Sequence, residues 1–409
     1  MNEWKKVKLK DCCHSISDGD HLPPPKSNSG VPFVTIANID ATNHIDFGNT
    51  MFVPLEYYNS LNDIRKAKCN DILYSVVGSF GKPVLIKENI PFAFQRHIAI
   101  LRPNNEIADS RFLYYVMLTR DFFMQADTVA IGAAQRTISL TALRNMEVKL
   151  PSMETQYRIA NILSRYGSLI ENYQKQIKLL EEAAQRLYKE WFIDLHFPGH
   201  ENTNIIDGVP EGWEKKTIDD VTCKITTGLN PRKNFVLGKG SNYYVTIKNM
   251  ADNTLFLDDR CDRVDNEALE KINKRSDLKI GDILFSGIGT IGRVALVDIP
   301  TNNWNVSESV FTLRVNDIVT KEFLYLMLLS PDMQNYCQSN AHGAAQKGIR
   351  MADLKAYSFN LPPFGVIQKF TNLVTPTIKK VSSIRNQIRL LTEARDRLLP
   401  RLMNGEIAV

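Results

Sequence analysis

The sequence lacks any apolar run long enough to cross a lipid bilayer. Its longest apolar stretches, Phe323 to Leu329 and Leu113 to Leu118, fall far short of the roughly 20 residues that a spanning helix needs. The first six residues contain no apolar core of the kind found in secretory signals. We therefore expect a soluble protein that stays in the cytoplasm.

Cysteine is sparse, and the net charge is low for the length. The six cysteines show no Cys-x-x-Cys spacing, so we expect free thiols and neither a disulfide framework nor a zinc site. The net charge of +5 over 409 residues excludes no class of partner. A composition of 44% hydrophobic and 23% charged residues excludes a mostly disordered chain, and the length favours two or three domains.

The sequence repeats itself once. Val34-Thr35-Ile36 recurs as Val245-Thr246-Ile247, and positions 34 and 245 differ by 211. The same shift relates Asp71-Ile72-Leu73 to Asp282-Ile283-Leu284 and Gly132-Ala133-Ala134-Gln135 to Gly343-Ala344-Ala345-Gln346. Near the start the shift is 209, from Trp4 to Trp213. A nearly constant shift over almost the whole chain indicates an internal duplication.

Each copy is predicted to contain a mixed α/β globule followed by a long helix. Short β-rich runs such as Val31 to Ile36 and His97 to Leu101 are broken by glycine, proline and asparagine turns. The fold class is therefore α+β, with two mixed α/β domains that are related by internal duplication and separated by two long helices. The predicted segments are a globule at 1–151, a helix at 152–195, a linker at 196–212, a globule at 213–363 and a helix at 364–409.

Apolar residues recur at heptad spacing along both helical segments, which is typical of a coiled coil. We call the line of apolar residues along each helix its seam. The seam of the first helix includes Ile159, Tyr166, Leu169, Tyr173, Leu180 and Leu187, and the seam of the second includes Ile384, Ile388, Leu391 and Leu398. A helix of about 40 residues is roughly 60 Å long. Because the linker is short, we expect the second helix to run back beside the first as an antiparallel coiled coil. The alternative is an amphipathic helix that packs on its own globule.

The sequence also indicates where the long helices begin and where one is perturbed. Ser152 is a predicted N-cap after Pro151. Pro376 is expected to kink the second helix near its start, because proline removes a helical hydrogen bond.

Three motifs resemble parts of a cofactor-binding, catalytic or metal-binding site, but the residues around each do not fit such a site. Gly287-x-Gly289-x-x-Gly292 matches a dinucleotide-binding fingerprint, yet the residues after it are strand-like, so we expect a turn between two strands. A leucine separates Asn360 from Pro362 and Pro363, unlike the Asn-Pro-Pro segment of amino-methyltransferases. His196 and His200 flank Pro198-Gly199, which prevents a helix from presenting both as metal ligands. We predict no catalytic residues and no metal site.

Matched loops in the two copies hold clusters of polar and basic residues of the kind that recognise nucleic acids. Both globules are nearly neutral, which argues against binding by bulk charge, but specific recognition needs only a few side chains in a groove. A solvated loop is the alternative for each cluster. The candidates are Ser17, His21, Lys26, Ser79, Lys82 and Arg136 in the first copy and Thr227, Asn230, Arg232, Lys233, Thr290, Arg293, Lys347 and Arg350 in the second.

The whole chain resembles the specificity subunit of type I restriction–modification enzymes. The resemblance rests on the run from Gly132 to Ile138 with Leu150-Pro151, on Glu154 to Leu163, on Leu187 to Phe192, and on Gly208 to Trp213. The second copy departs from the pattern, because Gln368 lacks the preceding glutamate and Pro376 interrupts the helix.

The resemblance implies a DNA-recognition protein without catalytic activity. Each globule would be a target-recognition domain that reads one half of a split site on double-stranded DNA. The helices would set the gap between the halves and dock two methylation subunits, and motor-nuclease restriction subunits would complete the complex. S-adenosylmethionine, ATP and Mg²⁺ are expected on those partners and no cofactor on this chain. The seam residues named above are the expected docking and spacer residues.

Two other interpretations remain open at this stage. The chain could be a coiled-coil adaptor that joins two peptide-binding globules, or a nucleotide-dependent enzyme that uses the glycine turn. The matched loops differ while the framework repeats, as in His21 to Pro25 against Leu229 to Arg232, which favours two different half-sites.

Overall fold

The computed structural model describes residues 4–40, 42–133, 135–251, 253–343, 347–407 and 409. In the first half the strands are β1 (Lys5–Lys8), β2 (Cys13–Asp18), β3 (Val31–Val34), β4 (Met51–Val53), β5 (Ile72–Ser75), β6 (Pro83–Leu85), β7 (Ala93–Phe94), β8 (Ile98–Pro103) and β9 (Glu147–Leu150). The helices are α1 (Leu55–Ser60), α2 (Ser110–Met117), α3 (Arg120–Val129), α4 (Leu140–Asn145) and α5 (Met153–Phe192).

The second half repeats this order after a hairpin in the linker. Its strands are β10 (Ile205–Ile206), β11 (Val209–Pro210), β12 (Glu214–Thr217), β13 (Thr222–Thr227), β14 (Asn242–Val245), β15 (Met250–Ala251), β16 (Thr254–Leu255), β17 (Asp262–Val264), β18 (Ile283–Ser286), β19 (Val294–Leu296), β20 (Trp304–Val306), β21 (Val310–Val315) and β22 (Ser358–Leu361). The helices are α6 (Asn266–Ser276), α7 (Lys321–Leu328), α8 (Pro331–Ser339), α9 (Met351–Ala356) and α10 (Phe364–Met403).

The two halves share one sheet topology. The larger sheet has the strand order β2-β8-β5-β6 in the first half and β13-β21-β18-β19 in the second, and neighbouring strands are antiparallel. A smaller mixed sheet follows the order β4-β3-β7 in one half and β17-β14-β20 in the other. The first strand of each half pairs with the last, as β1 with β9 and β12 with β22. The duplication and the α+β class predicted from the sequence are confirmed.

The cores form because the strands alternate between two apolar layers. One face of β5 and β8 carries Ile72 and Leu101 into a cluster with helices α2 and α4. The opposite face carries Leu73 and Ile100 into a cluster beneath the smaller sheet. This period of two residues is the expected one for a sheet that is covered on both faces.

The compact units divide inside the long helices. One unit comprises 1–172 and 388–409, and the other comprises 173–387. Each helix therefore contributes one part to each unit. Each part of a helix packs against a globule as well as against the other helix.

Contacts within the second unit show that the helices are antiparallel. The rings of Trp191 and Phe370 lie 5.7 Å apart, and Arg385 donates a hydrogen bond to Glu181 at 2.5 Å. Later residues of α5 thus meet earlier residues of α10. Within the first unit, Ile159 near the start of α5 shares an apolar cluster with Leu402 near the end of α10. This contact also requires the two helices to run in opposite directions.

The helix signals in the sequence hold in part. Ser152 Oγ accepts a hydrogen bond from the Thr155 amide at 3.3 Å, as an N-cap does. Helix α10 continues through Pro376, so the proline does not end it, and the kink stays a prediction. Leu169, which was expected in the seam, is 40% exposed, whereas the neighbouring Ile170 is buried. The buried stripe departs from a strict heptad because α5 also packs against its globule.

The other seam residues are buried or half-buried. Ile159 and Ile384 are buried. Those with intermediate burial are Tyr166, Tyr173, Leu180, Leu187, Ile388, Leu391 and Leu398. None of the helices in the described part of the chain combines the length and apolar character that a membrane span requires.

Candidate nucleic-acid interface

The candidate loops of the first half leave the larger sheet at one end, which we call the loop end. Asp18, at the end of β2, is opposite Ala99 near the start of β8. Ser75, at the end of β5, is opposite Ile98, and the next strand begins at Pro83. Because these strands are antiparallel, the loops that follow Asp18 and Ser75 emerge together.

The second half has the same arrangement. Thr227, at the end of β13, is opposite Phe311 near the start of β21, and Ser286, at the end of β18, is opposite Val310. The loop that follows Thr227 and the glycine turn that follows Ser286 therefore share a loop end. The turn joins β18 to β19 as a hairpin, with Gly289 at φ 87° and Gly292 at φ 88°. No helix begins at this turn, so the predicted strand-to-strand turn is confirmed.

Two candidate clusters that are far apart in the first copy's sequence are joined at the loop end. Gly78 donates a backbone hydrogen bond to Arg136 O at 2.9 Å, and Ile138 donates one to Val76 O at 2.8 Å. The glycine turn after β5 is thus held against the loop after α3.

The second copy makes the equivalent bonds. Gly289 donates to Lys347 O at 2.8 Å, and Ile349 donates to Gly287 O at 2.8 Å. Gln346, which the sequence placed in the same cluster, lies outside the described residues. The loop end of each half is therefore one composite surface built from separate loops.

The loop that follows the first strand of each larger sheet begins with a glycine. This glycine lies against the backbone at the end of a smaller-sheet strand, β7 in the first half and β20 in the second. A Cβ on Gly19 would lie 2.1 Å from Phe94 O, and a Cβ on Gly228 would lie 1.6 Å from Val306 O. No side chain tolerates such distances. These glycines fix where the loops 19–30 and 228–241 leave the sheet.

Three predicted cations are engaged within the fold. Lys82 Nζ donates to Ile39 O at 3.4 Å, and its counterpart Arg293 donates from Nη1 to Ile247 O at 2.9 Å. Arg136 pairs with Asp127 and lies 5.4 Å from the ring centroid of Phe80. These contacts hold the side chains against the fold, and their role in binding DNA stays a prediction.

Four predicted polar residues are also committed to local structure. Ser17 and Thr227 are buried at the strand ends. His21 Nε2 lies 2.8 Å from Asp18 Oδ2, with the imidazole itself exposed. Asn230 Oδ1 accepts a hydrogen bond from the backbone amide of Arg232 in its own loop.

The remaining predicted residues are exposed at or beside the loop ends. Within the described chain, their side chains make no hydrogen bond or ion pair to another residue. They are Lys26, Ser79, Arg232, Lys233, Thr290, Lys347 and Arg350. Five of the seven carry a positive charge, which suits contact with phosphate groups.

A family model described as the type I restriction modification DNA specificity domain matches residues 1–182 and again residues 210–388. The chain belongs to this family. The two matches coincide with the two copies of the duplication, and the sequence-based expectation of this family and of a DNA-recognition function is confirmed.

Two relatives are similar to this chain in sequence, and a solved structure is similar to it in fold. The type I restriction enzyme MjaIX specificity subunit of Methanocaldococcus jannaschii is 28% identical over 305 residues, which cover 73% of this chain and 69% of that protein. The HindI specificity subunit of Haemophilus influenzae is 24% identical over the whole of both chains. The S subunit of the type I restriction–modification system from M. genitalium aligns over 98% of this chain and 96% of that chain, with 18% identity and a TM-score of 0.60, and so shares its fold.

Sequence reasoning missed two residues at the loop ends, Arg96 and Glu308. They lie on the connections that lead into β8 and β21. Positions 96 and 308 differ by 212, one more than the shift that revealed the duplication, so the comparison at 211 did not align them. The strands that follow begin at Ile98 and Val310, which also differ by 212. Aligning the two copies at these strand starts would have paired Arg96 with Glu308.

Proposed function

We propose that this chain is the DNA-recognition subunit of a type I restriction–modification complex, and that each half reads one half of a bipartite site. The observation that carries this proposal is the pair of equivalent loop ends with different side chains. A repeated framework places the loops, while His21 to Pro25 in one half and Leu229 to Arg232 in the other present different chemistry. Two different base sequences are what such a pair would read.

The exposed cations would provide the backbone contacts. Arg232 and Lys233 stand free on one loop of the second half, and Lys347 stands on another. Contacts to phosphates fix the position of a protein on the duplex, and base contacts then specify the sequence. Lys26 serves the same purpose in the first half.

In this proposal the chain performs no chemistry. Two methylation subunits bind S-adenosylmethionine and transfer the methyl group, and motor-nuclease subunits use ATP and Mg²⁺. The DNA substrate puts the complex in the cytoplasm. The two long helices set the gap between the half-sites and dock the methylation subunits.

Matched exposed leucines support two equivalent docking surfaces on the long helices. Leu179 of α5 is 65% exposed and Leu390 of α10 is 49% exposed, and the two positions differ by 211. Single exposed leucines are common on protein surfaces, so the argument rests on the equivalence of the two positions in the repeat. We expect Leu179→Asp and Leu390→Asp each to weaken the binding of one methylation subunit.

The proposal is tested by mapping methylated adenines in a host that expresses this chain with its methylation subunits. A bipartite motif with a fixed gap is the expected result, and the motif should vanish when this chain is omitted. Purified chain without partners should neither methylate nor cleave DNA. Methylation with no sequence preference, or an uninterrupted motif, would exclude the proposed function.

A further inference from the structure

Arg96 and Glu308 occupy the same position in the two halves. Each lies between the smaller sheet and the larger one, two residues before the strand that starts at Ile98 or Val310. The residue before Arg96 donates its backbone N–H to Val34 O at 3.1 Å, and the residue before Glu308 donates to Val245 O at 2.8 Å. Since Val34 and Val245 are themselves repeat partners, the two positions are structurally equivalent.

This position lies at the loop end, between the first loop and the glycine turn. In the first half, Arg96 N donates to Asp20 O at 3.0 Å, and Val76 N donates to His97 O at 2.9 Å. In the second half, Gly228 N donates to Ser307 O at 3.2 Å, and Gly287 N donates to Ser309 O at 2.9 Å. The backbone on both sides is therefore fixed, which limits where the side chain can reach.

The guanidinium of Arg96 is available for a ligand. Arg96 is exposed, and within the described residues its side chain makes no hydrogen bond or ion pair. The nearest acids on the first loop are already engaged, because Asp20 accepts from Arg65 Nη1 at 3.2 Å and Asp18 faces His21. A free arginine can donate two parallel hydrogen bonds to O6 and N7 of guanine.

The carboxylate of Glu308 is oriented by two neighbours but not saturated. Oε1 accepts from Asn230 Nδ2 at 2.7 Å. Oε2 lies 3.2 Å from the Tyr244 hydroxyl, whose single proton makes its shorter hydrogen bond to Leu229 O at 2.7 Å. Glu308 is half-buried. A carboxylate has about four acceptor sites, so each oxygen keeps one for a donor from outside the protein.

Asn230 connects this carboxylate to the cationic loop. Its Oδ1 accepts a hydrogen bond from Arg232 N at 3.1 Å, while its Nδ2 holds Glu308. The exposed Arg232 and Lys233 therefore stand beside a fixed acid. Phosphates repel an acid, so a carboxylate at such a surface is useful only where it accepts a hydrogen bond from a base, and glutamate pairs with the N4 amino group of cytosine.

We infer that positions 96 and 308 determine base specificity, with Arg96 requiring guanine in one half-site and Glu308 requiring cytosine in the other. This inference rests on the proposed function. Asn230 acts as a positioning residue, because it sets the carboxylate and the cationic loop in one geometry.

The test uses the whole chain expressed with its methylation subunits, and the readout is the methylated motif. Arg96→Ala should relax one guanine in one half-site, so that its preference over other bases falls from about 10- to 100-fold to about 3-fold or less. Glu308→Gln should change one cytosine in the other half-site to adenine, because a carboxamide pairs with N6 and N7 of adenine. Gln keeps the size of the side chain. Its amide oxygen can still accept from Asn230 Nδ2, and its NH₂ group can donate to the Tyr244 oxygen, so the fold is preserved.

Glu267→Gln is the matched control, since Glu267 is an exposed acid of the second half in the first turn of α6. It should leave the motif unchanged. The inference is overturned if the wild-type motif is bipartite but neither variant alters a base, or if both variants alter the same half-site. A wild-type complex without a bipartite motif would instead refute the proposed function, which keeps the two failures distinct.

Discussion

Arg102 donates to both carboxylate oxygens of Asp71, from Nε at 3.0 Å and from Nη2 at 2.9 Å. Asp71 is 2% exposed, so the pair is shielded from water on the acid side. The second half repeats it, with Arg314 on Asp282 at 2.7 and 2.8 Å. The pair ties β8 to the start of β5 at the end of the sheet away from the candidate loops.

We predict that Asp71→Asn lowers the free energy of unfolding by about 3 kcal/mol, because it leaves the arginine without its charged partner. Urea unfolding of the whole chain measures this loss. Asp63→Asn is the control, since Asp63 pairs with Lys68 on the surface with 73% of its side chain exposed. The control should cost less than about 1 kcal/mol. Equal losses would show that burial of the pair is unimportant.

A second prediction concerns the close approach at Gly228. Its added methyl group would collide with Val306 O, so Gly228→Ala should displace the loop 228–241 and lower the free energy of unfolding by about 1–3 kcal/mol. Recognition of the half-site read by the second half should be lost, while the other half-site keeps its sequence. Methylation mapping and urea unfolding give the two readouts.

The control for this variant is Gly365→Ala, in the first turn of α10. An added Cβ there meets no atom within 4 Å, and alanine favours a helix. This variant should be neutral or slightly stabilising. If Gly228→Ala behaves in the same way, the close approach does not fix the loop.

The sequence predicted the framework better than the site because the two depend on different information. The apolar spacing predicted helices at 152–195 and 364–409, and the structure has α5 at Met153–Phe192 and α10 at Phe364–Met403. Such agreement comes from apolar spacing, which every turn of the helix repeats. The units that divide inside these helices depend on tertiary contacts, which the heptad pattern does not report.

The site residues depend on partners that are distant in sequence. Arg136 was predicted for its charge, yet Asp127 and the Phe80 ring engage it. Lys82 and Arg293 likewise reach backbone carbonyls of the smaller sheet's loop. A charged residue in a loop is expected to be exposed to solvent. Only the folded structure shows whether it already makes an ion pair or hydrogen bond within the protein.

A third prediction concerns pH. Glu171 of α5 accepts a hydrogen bond from His44 Nε2 at 3.0 Å and pairs with Lys87, and these contacts lower the pKa of its carboxyl to about 2 from 4.5. A lowered pKa stabilises the fold fully above about pH 4.5, and that stabilisation disappears as the pH falls towards about 2. The wild type should therefore exceed Glu171→Gln in stability at neutral pH, with the difference shrinking below about pH 4.5.

Urea midpoints of both proteins at several pH values measure that difference. Glu154→Gln is the control, because Glu154 is 73% exposed and pairs only with Arg158 on the same helix turn among the described residues. Its effect should stay small throughout. A difference for Glu171→Gln that is constant down to about pH 3 would contradict the assignment of the contact.

The last prediction concerns the long helices as a spacer between half-sites. Deleting Ile177 to Ala183 together with Ile388 to Ala394 removes seven matched residues from each helix and keeps the apolar seam in phase. Each helix shortens by roughly 10 Å, which is about three base pairs and a rotation of roughly 100° around the duplex. The loop ends are untouched, so both half-sites should keep their bases. We expect either a changed gap between the same half-sites or loss of binding. An assembled, folded variant that methylates the original motif with its gap unchanged would exclude the spacer role, and so would new half-site bases with the old gap.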